Sequence, residues 1–237
     1  MKEEGYFKDL SRRDYINKAN EIVRKEGPQA LTIRRIAREL NCSSASLYHY
    51  FESLEELLYY AQIGFLDFYL EEISKSEKNW KDAWDVHIGI WECYTRAAFT
   101  YPQAFNTIFF SPMSKKFTRV LREYHELFPE YLNLVSPYLH RMLETPDFQE
   151  RDYLMCLSCV EAGVLAKENA RPLNQITCMI YKGYLKGIID NGIRPDEIEG
   201  KVTQFLNDFK SVAALLAKKT TGHPELDPDK IGLKVER

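Results

Sequence analysis

The chain has 237 residues, 45% hydrophobic and 28% charged, the composition of an ordinary globular protein long enough for one large or two modest cores. Its formal net charge of −3 argues against a protein that coats nucleic acid without regard to sequence, yet leaves room for a local basic face. No apolar run approaches the roughly 20 residues needed to cross a bilayer, and the first residues lack a secretion signal, so a cytoplasmic chain without membrane association is expected.

Glycine and proline are sparse and fall at junctions, while apolar residues recur three and four apart, which predicts an all-α protein. Ile16, Ala19, Ile22 and Val23 form a first stripe that stops at Gly27-Pro28. Ile33, Ile36, Ala37 and Leu40 form a second, two-turn helix with Thr32 as N-cap and Asn41 as a left-handed stop. Ser43 is placed to cap another short helix running through Tyr50. Ser53 with Glu56 fits a capping box opening a longer helix through Phe65, shared by head and body.

Further helices are expected from Trp80 to Tyr101, over 103–110 and over 113–128. Pro129 and Pro137 interrupt the periodicity of 129–143. Helices over 148–169, 173–191 and 195–218 close the body. The organisation expected is a head over 1–56, a helical body over 57–219 and a mobile tail over 220–237.

Two short helices separated by a tight turn between Leu31 and Leu58 make a helix-turn-helix, which lays its second helix in the major groove of DNA. Cys42, Leu47 and Phe51 hold the second helix against the first. Ser44, Ala45, Ser46, Tyr48, His49 and Tyr50 then face outward, where hydroxyls and an imidazole can meet phosphates and base edges.

The run Ile36-Ala37-Arg38, then Asn41 through Phe51, then Glu55-Glu56-Leu57-Leu58 closely resembles the TetR family of regulators over about residues 10–60. That resemblance implies a three-helix DNA-binding head, a ligand-binding helical body and a homodimer on a palindromic, double-stranded operator. It implies phosphate contacts for Thr32 and Ser43, and groove or phosphate contacts for Ser44, Ala45, Ser46, Tyr48 and His49. The sequence departs from the family in carrying Leu54 where a phosphate-binding lysine is usual, and Ala45 where glycine is. Residues 1–56 hold ten Lys and Arg against ten Asp and Glu, so the head is neutral. Lys2, Lys8, Arg12, Arg13, Arg34 and Arg35 would compensate where they face DNA.

In the body, His87, Trp91 and Tyr94 share one helical stripe, and with Phe109, Phe117, Tyr124 and Tyr153 they suggest a cavity for a small apolar or aromatic effector. The competing reading for each is ordinary core. Cys156-x-x-Cys159 lies inside a predicted helix without a second pair or nearby histidines, so buried thiols are expected, with no metal and no cofactor. Gly183 and Gly187, four apart, suggest close helix–helix approach. With Val160, Val164, Ile180 and Tyr184, the resemblance places them at the dimer interface. No H-E-x-x-H, G-x-S-x-G or phosphate-binding glycine loop occurs, which argues against an enzyme. The expected function is a ligand-responsive repressor. The alternatives are a helical adaptor for a protein partner and, behind it, a helical enzyme.

Overall fold

The computed structural model describes residues 10–217 together with His223 and Leu226. Among them there is no strand, only a single bridge between Leu165 and Ala217, and no helix is long and apolar enough to cross a membrane. Of the tail expected to be mobile, all but His223 and Leu226 lies outside the described residues.

The head begins with α1, Arg12–Glu26, opened by a reciprocal cap in which Ser11 Oγ accepts from the Asp14 amide while Asp14 accepts from the Ser11 amide. It stops at Gly27, whose φ of 84° suits a residue without Cβ. Helix α2, Ile33–Leu40, starts at Thr32, whose hydroxyl accepts from the Arg35 amide at 3.2 Å, and ends at Asn41 with φ 51°. Both caps follow the sequence reading, and the Thr32 cap is worth about 1 kcal/mol.

The second helix of the motif differs from expectation: it is a 3-10 turn, Ser46–His49, and not an α-helix from Ser43. Side-chain bonds favour the tighter turn. Ser43 Oγ accepts from the Ser46 amide at 3.1 Å, and Ser46 Oγ donates back to the Ser43 carbonyl at 2.5 Å.

Helix α3, Leu54–Ile63, is capped by Ser53 Oγ from the Glu56 amide. Glu56 itself reaches back to the Glu52 amide, one residue beyond a standard capping box. The expected long shared helix is broken after Ile63, and α4, Leu66–Ser76, follows. Gly64 fits the break because a Cβ there would meet Asn20 Nδ2 at 2.8 Å and the Tyr124 hydroxyl at 2.9 Å.

The body continues with α5, Ala83–Thr100, capped by Asp82 and nearly wholly buried. Then come α6, Pro102–Phe110, α7, Phe117–Leu127, the single turn α8, Pro129–Leu132, and α9, Pro137–Glu144. Helix α10, Phe148–Glu161, ends sooner than expected, at a turn containing Gly163 with φ 77°. Helix α11, Lys167–Asn191, starts earlier and runs through Pro172. So close to the N-terminus, Pro172 removes only the bond to Glu168, which limits the disruption.

Helix α12, Ile198–Leu216, buries Val202, Phe205, Leu206 and Phe209 against α5 and α11 of its own chain. The core thus has α5 at its centre, with α4, α10 and α12 around it.

Candidate nucleic-acid interface and body cavity

Leu47 and Phe51, both buried, pin the 3-10 turn to α1, with the Tyr15 ring lying 6.2 Å edge-on to Phe51. The Tyr15 hydroxyl donates to Cys42 Sγ at 3.4 Å, closing the turn from the other side. That anchoring leaves Ser43, Ser44, Ala45, Tyr48, His49 and Tyr50 exposed, as are Thr32 and Arg34 beside them; Ser46 is half-buried. Tyr48 is 54% exposed, an aromatic ring left in water on a rigid platform. Tyr50 differs in kind: its hydroxyl donates to the Leu10 carbonyl at 2.5 Å and its ring lies 5.4 Å from Tyr15, so it fastens the turn.

Most of the head's cations are already engaged. Arg12 pairs with Glu123 of α7 at 2.9 Å, and Arg13 with Glu130 of α8. Arg35 pairs with Glu26 and Glu39, and Lys18 and Lys25 share Glu21. Among the described residues, Arg34 and Arg38 alone of the α2 cations have no carboxylate partner. The expected compensation by Arg12, Arg13 and Arg35 is therefore redirected: these residues tie the head to the body or brace α2. Lys2 and Lys8 lie outside the described residues.

Residues 16–61, the segment folded into this platform, match the family model of bacterial regulatory proteins, tetR family. The chain resembles that family over its head, residues 16–61. Its fold agrees with a crystal structure from Shewanella sp. PV-4 assigned to the tetR family of transcription regulators, at 16% identity and a TM-score of 0.51 over 89% of this chain and all of that one. A TetR transcription regulator from Haloarcula marismortui ATCC 43049 aligns at 18% identity and TM-score 0.46, over 87% of this chain and 98% of that one. No curated protein matches the sequence.

The head is joined to the body through polar contacts. The Arg12 guanidinium donates to the Tyr60 hydroxyl at 2.6 Å and lies over the Tyr60 ring, while Tyr60 donates to Glu123. Buried Glu56 accepts from Arg119 of α7 at 2.9 Å, and Asn20 donates to the Ala61 carbonyl at 2.7 Å.

Five of the seven expected cavity residues converge in the body. Trp91 and Tyr94 lie 5.8 Å apart, Tyr94 and Phe109 6.0 Å, and Phe109 and Phe117 5.3 Å. His87 joins them through Asp152, whose Oδ1 lies 2.7 Å from His87 Nε2 and accepts from Trp91 Nε1 at 2.7 Å. Burial would push the His87 imidazole down, but the Asp152 carboxylate outweighs it and holds it up at about 9.

A cavity of about 30 Å³, room for one water, is lined by Tyr69, Trp91, Tyr94, Phe148, Arg151 and Asp152, with Ile90 and Met142. Of the seven expected residues, Trp91 and Tyr94 alone line it; His87, Phe109 and Phe117 pack around those two, and Tyr124 and Tyr153 lie elsewhere. Tyr124 donates to Asp67 at 2.6 Å in a cleft between head and body, and Tyr153 lies near the surface under the Arg171 guanidinium.

Sequence reasoning missed Arg151 and Asp152, yet a signal existed. Phe148, Arg151, Asp152, Met155, Cys156 and Cys159 are spaced by three and four, so two charges sit on the buried stripe of α10. Arg151 is buried beside Phe109 and Phe117, donating to the carbonyls of Leu143 and Thr145 at the end of α9.

On α11, Gly183 is exposed and Gly187 half-buried, and a Cβ at either would meet nothing within 4 Å. The close approach expected of these glycines is thus not made within the chain. They line an open groove of about 710 Å³ between α11 and the start of α12. Ile180 and Tyr184 flank it half-buried, as are Val160 near the end of α10 and Val164 in the turn after it, and Met179 is 63% exposed.

Proposed function

We propose that this chain is a ligand-responsive transcriptional repressor that binds a palindromic operator as a homodimer and releases it when a small apolar or aromatic molecule enters the body. The observation that carries the reading is the exposed Tyr48 on a turn anchored by buried Leu47 and Phe51, within a TetR-type head. Thr32, Arg34, Ser43, Ser44, Ala45, Ser46, Tyr48 and His49 form its DNA-facing set, with Tyr50 holding the turn in place. The coupling route is the contact between head and body through Arg12, Tyr60, Glu123, Glu56 and Arg119. A molecule that separates the walls around Trp91, Tyr94 and Phe109 displaces α5 and, through α4, the polar seam under the head.

The test is fluorescence anisotropy with duplex DNA from upstream of the chain's own gene, against scrambled duplex, at two salt concentrations. Wild type should bind the specific duplex more weakly as salt rises. Tyr48→Ala should lose about fivefold or more in affinity, the scale of a lost groove contact at about 1–3 kcal/mol, with the melting temperature nearly unchanged because the ring is in water. The neutral head favours one second reading, an adaptor whose head binds protein. Failure to select any duplex from a random-sequence pool, together with DNA-independent capture of a protein by the head, would replace the first reading with the second.

A further inference from the structure

The Cys-x-x-Cys pair of α10 has neighbours that its sequence spacing could not reveal. His87 from α5 brings its Nδ1 to 3.9 Å from Cys159 Sγ, correcting the expectation that no histidine lies nearby. Cys156 Sγ and Cys178 Sγ, the latter from α11, each lie 3.9 Å from Asp152 Oδ2. Ligating atoms of His87, Asp152 and Cys156 all fall within 4.8 Å of one another, in residues that are fully buried or nearly so.

We propose that His87, Asp152 and Cys156 form a binding site for a thiophilic divalent metal ion of the zinc type. The donor set is an imidazole, a carboxylate and a thiol, and a water completes the tetrahedral geometry that zinc favours. Bonds of that geometry put neighbouring ligand atoms roughly 3.5 Å apart. The 3.9 Å separation of Cys156 Sγ from Asp152 Oδ2 therefore closes by a few tenths of an ångström, while His87 Nε2 and Asp152 Oδ1, now at hydrogen-bond distance, part to admit the ion.

The surroundings fit the outer shell of a metal site. Trp91 Nε1 and Asn174 Nδ2 both donate to the Asp152 carboxylate, at 2.7 and 2.9 Å, and orient it. Asn174 Oδ1 is buried and has no hydrogen-bond partner. A buried ion pair between His87 and Asp152 accounts for those two residues alone. It leaves unexplained why three of the four buried cysteines meet there. The small cavity touches Asp152, which places free volume beside the carboxylate. This site requires neither the operator nor the organic effector proposed above.

The experiment is a titration of the full-length, tag-free, reduced and chelator-treated protein with cobalt(II) alone. The expected result is a sulfur-to-cobalt charge-transfer band with the visible bands of a tetrahedral site, saturating at one equivalent and abolished by added zinc. Cys156→Ala should lose the charge-transfer band, and Asn174→Leu should weaken zinc binding by roughly tenfold or more. The double variant Cys42→Ser/Cys93→Ala removes the cysteines outside the cluster and should keep the band, so the site can be judged even where Cys156→Ala does not fold. Absence of the band in wild type, its retention in folded Cys156→Ala, or its loss in the folded double variant overturns the site.

Discussion

Asp67, near the start of α4, is 7% exposed and accepts a hydrogen bond from the Tyr124 hydroxyl at 2.6 Å. Burial pushes its carboxyl up to about 8. The Tyr124 bond and the Arg24 charge act the other way, and Glu71 and Glu130 reinforce the rise. Because the folded value lies above the ordinary 3.8, the native state keeps a proton that the unfolded chain gives up. The contribution is fully present below about pH 4 and is lost as pH rises towards 8, an effect of up to roughly 5 kcal/mol. Asp67→Asn keeps an acceptor for Tyr124 and removes the titration. Its melting temperature should therefore gain on wild type steadily from pH 5 to pH 8, as followed by circular dichroism. A constant difference over that range would mean that Asp67 is already ionised when folded. Nothing in the local sequence around Asp67 signals this. The charge is buried by Tyr124 and the underside of α1, which are distant in the chain.

At the scale of elements, what could be read from the sequence was what local chemistry decides. Thr32 and Asn41 bound α2 as expected because a cap depends on a few neighbouring residues. The segment after Ser43 was legible as a short helix but not as 3-10, since the reciprocal bonds of Ser43 and Ser46 compete with the α-helical pattern. Helix α11 starts before the expected residue 173 because a proline near a helix N-terminus is tolerated. In the candidate site the outward set was legible because its alternative, the buried face, is apolar and regular. The pairing of His87 with Asp152 was not, for it joins residues 65 apart. The glycines of α11 fall between these cases: their spacing was readable, their partner was not. A side chain at Gly183 meets nothing within the protomer, so Gly183→Gln should leave the protomer fold intact and raise helix propensity by up to about 1 kcal/mol. If a second copy packs on this groove, as the family resemblance implies, the same change should shift sedimentation equilibrium towards monomer. An unchanged dimer would place the interface elsewhere.

For the whole molecule, the distribution of charge matters more than its sum. On the proposed function, a chain with a net charge of −3 approaches DNA against a general repulsion, and its head spends Arg12, Arg13, Arg35, Lys18 and Lys25 on carboxylates of its own chain. Those pairs hold the head on the body and brace α2, but a cation held by a carboxylate neutralises a phosphate poorly. Arg24 is held by Asn20 and the Gly64 carbonyl, which leaves Arg34 and Arg38, two per head and four in the proposed dimer. At roughly −0.9 per neutralised phosphate, four contacts give a slope of about −4 for log K against log salt. Lys2 and Lys8, were both engaged, would double it to about −7. Arg34→Ala should flatten the slope by about 2 per dimer and weaken specific and scrambled duplexes alike. Tyr48→Ala should weaken the specific duplex alone and leave the slope unchanged. Anisotropy titrations over a salt series separate the two effects in one experiment. A wild-type slope steeper than about −7 would mean that the internal pairs of Arg12, Arg13 or Arg35 open on DNA. In that event operator binding would itself loosen the seam between head and body, and the head would be coupled to the effector through the ion pairs that now hold it.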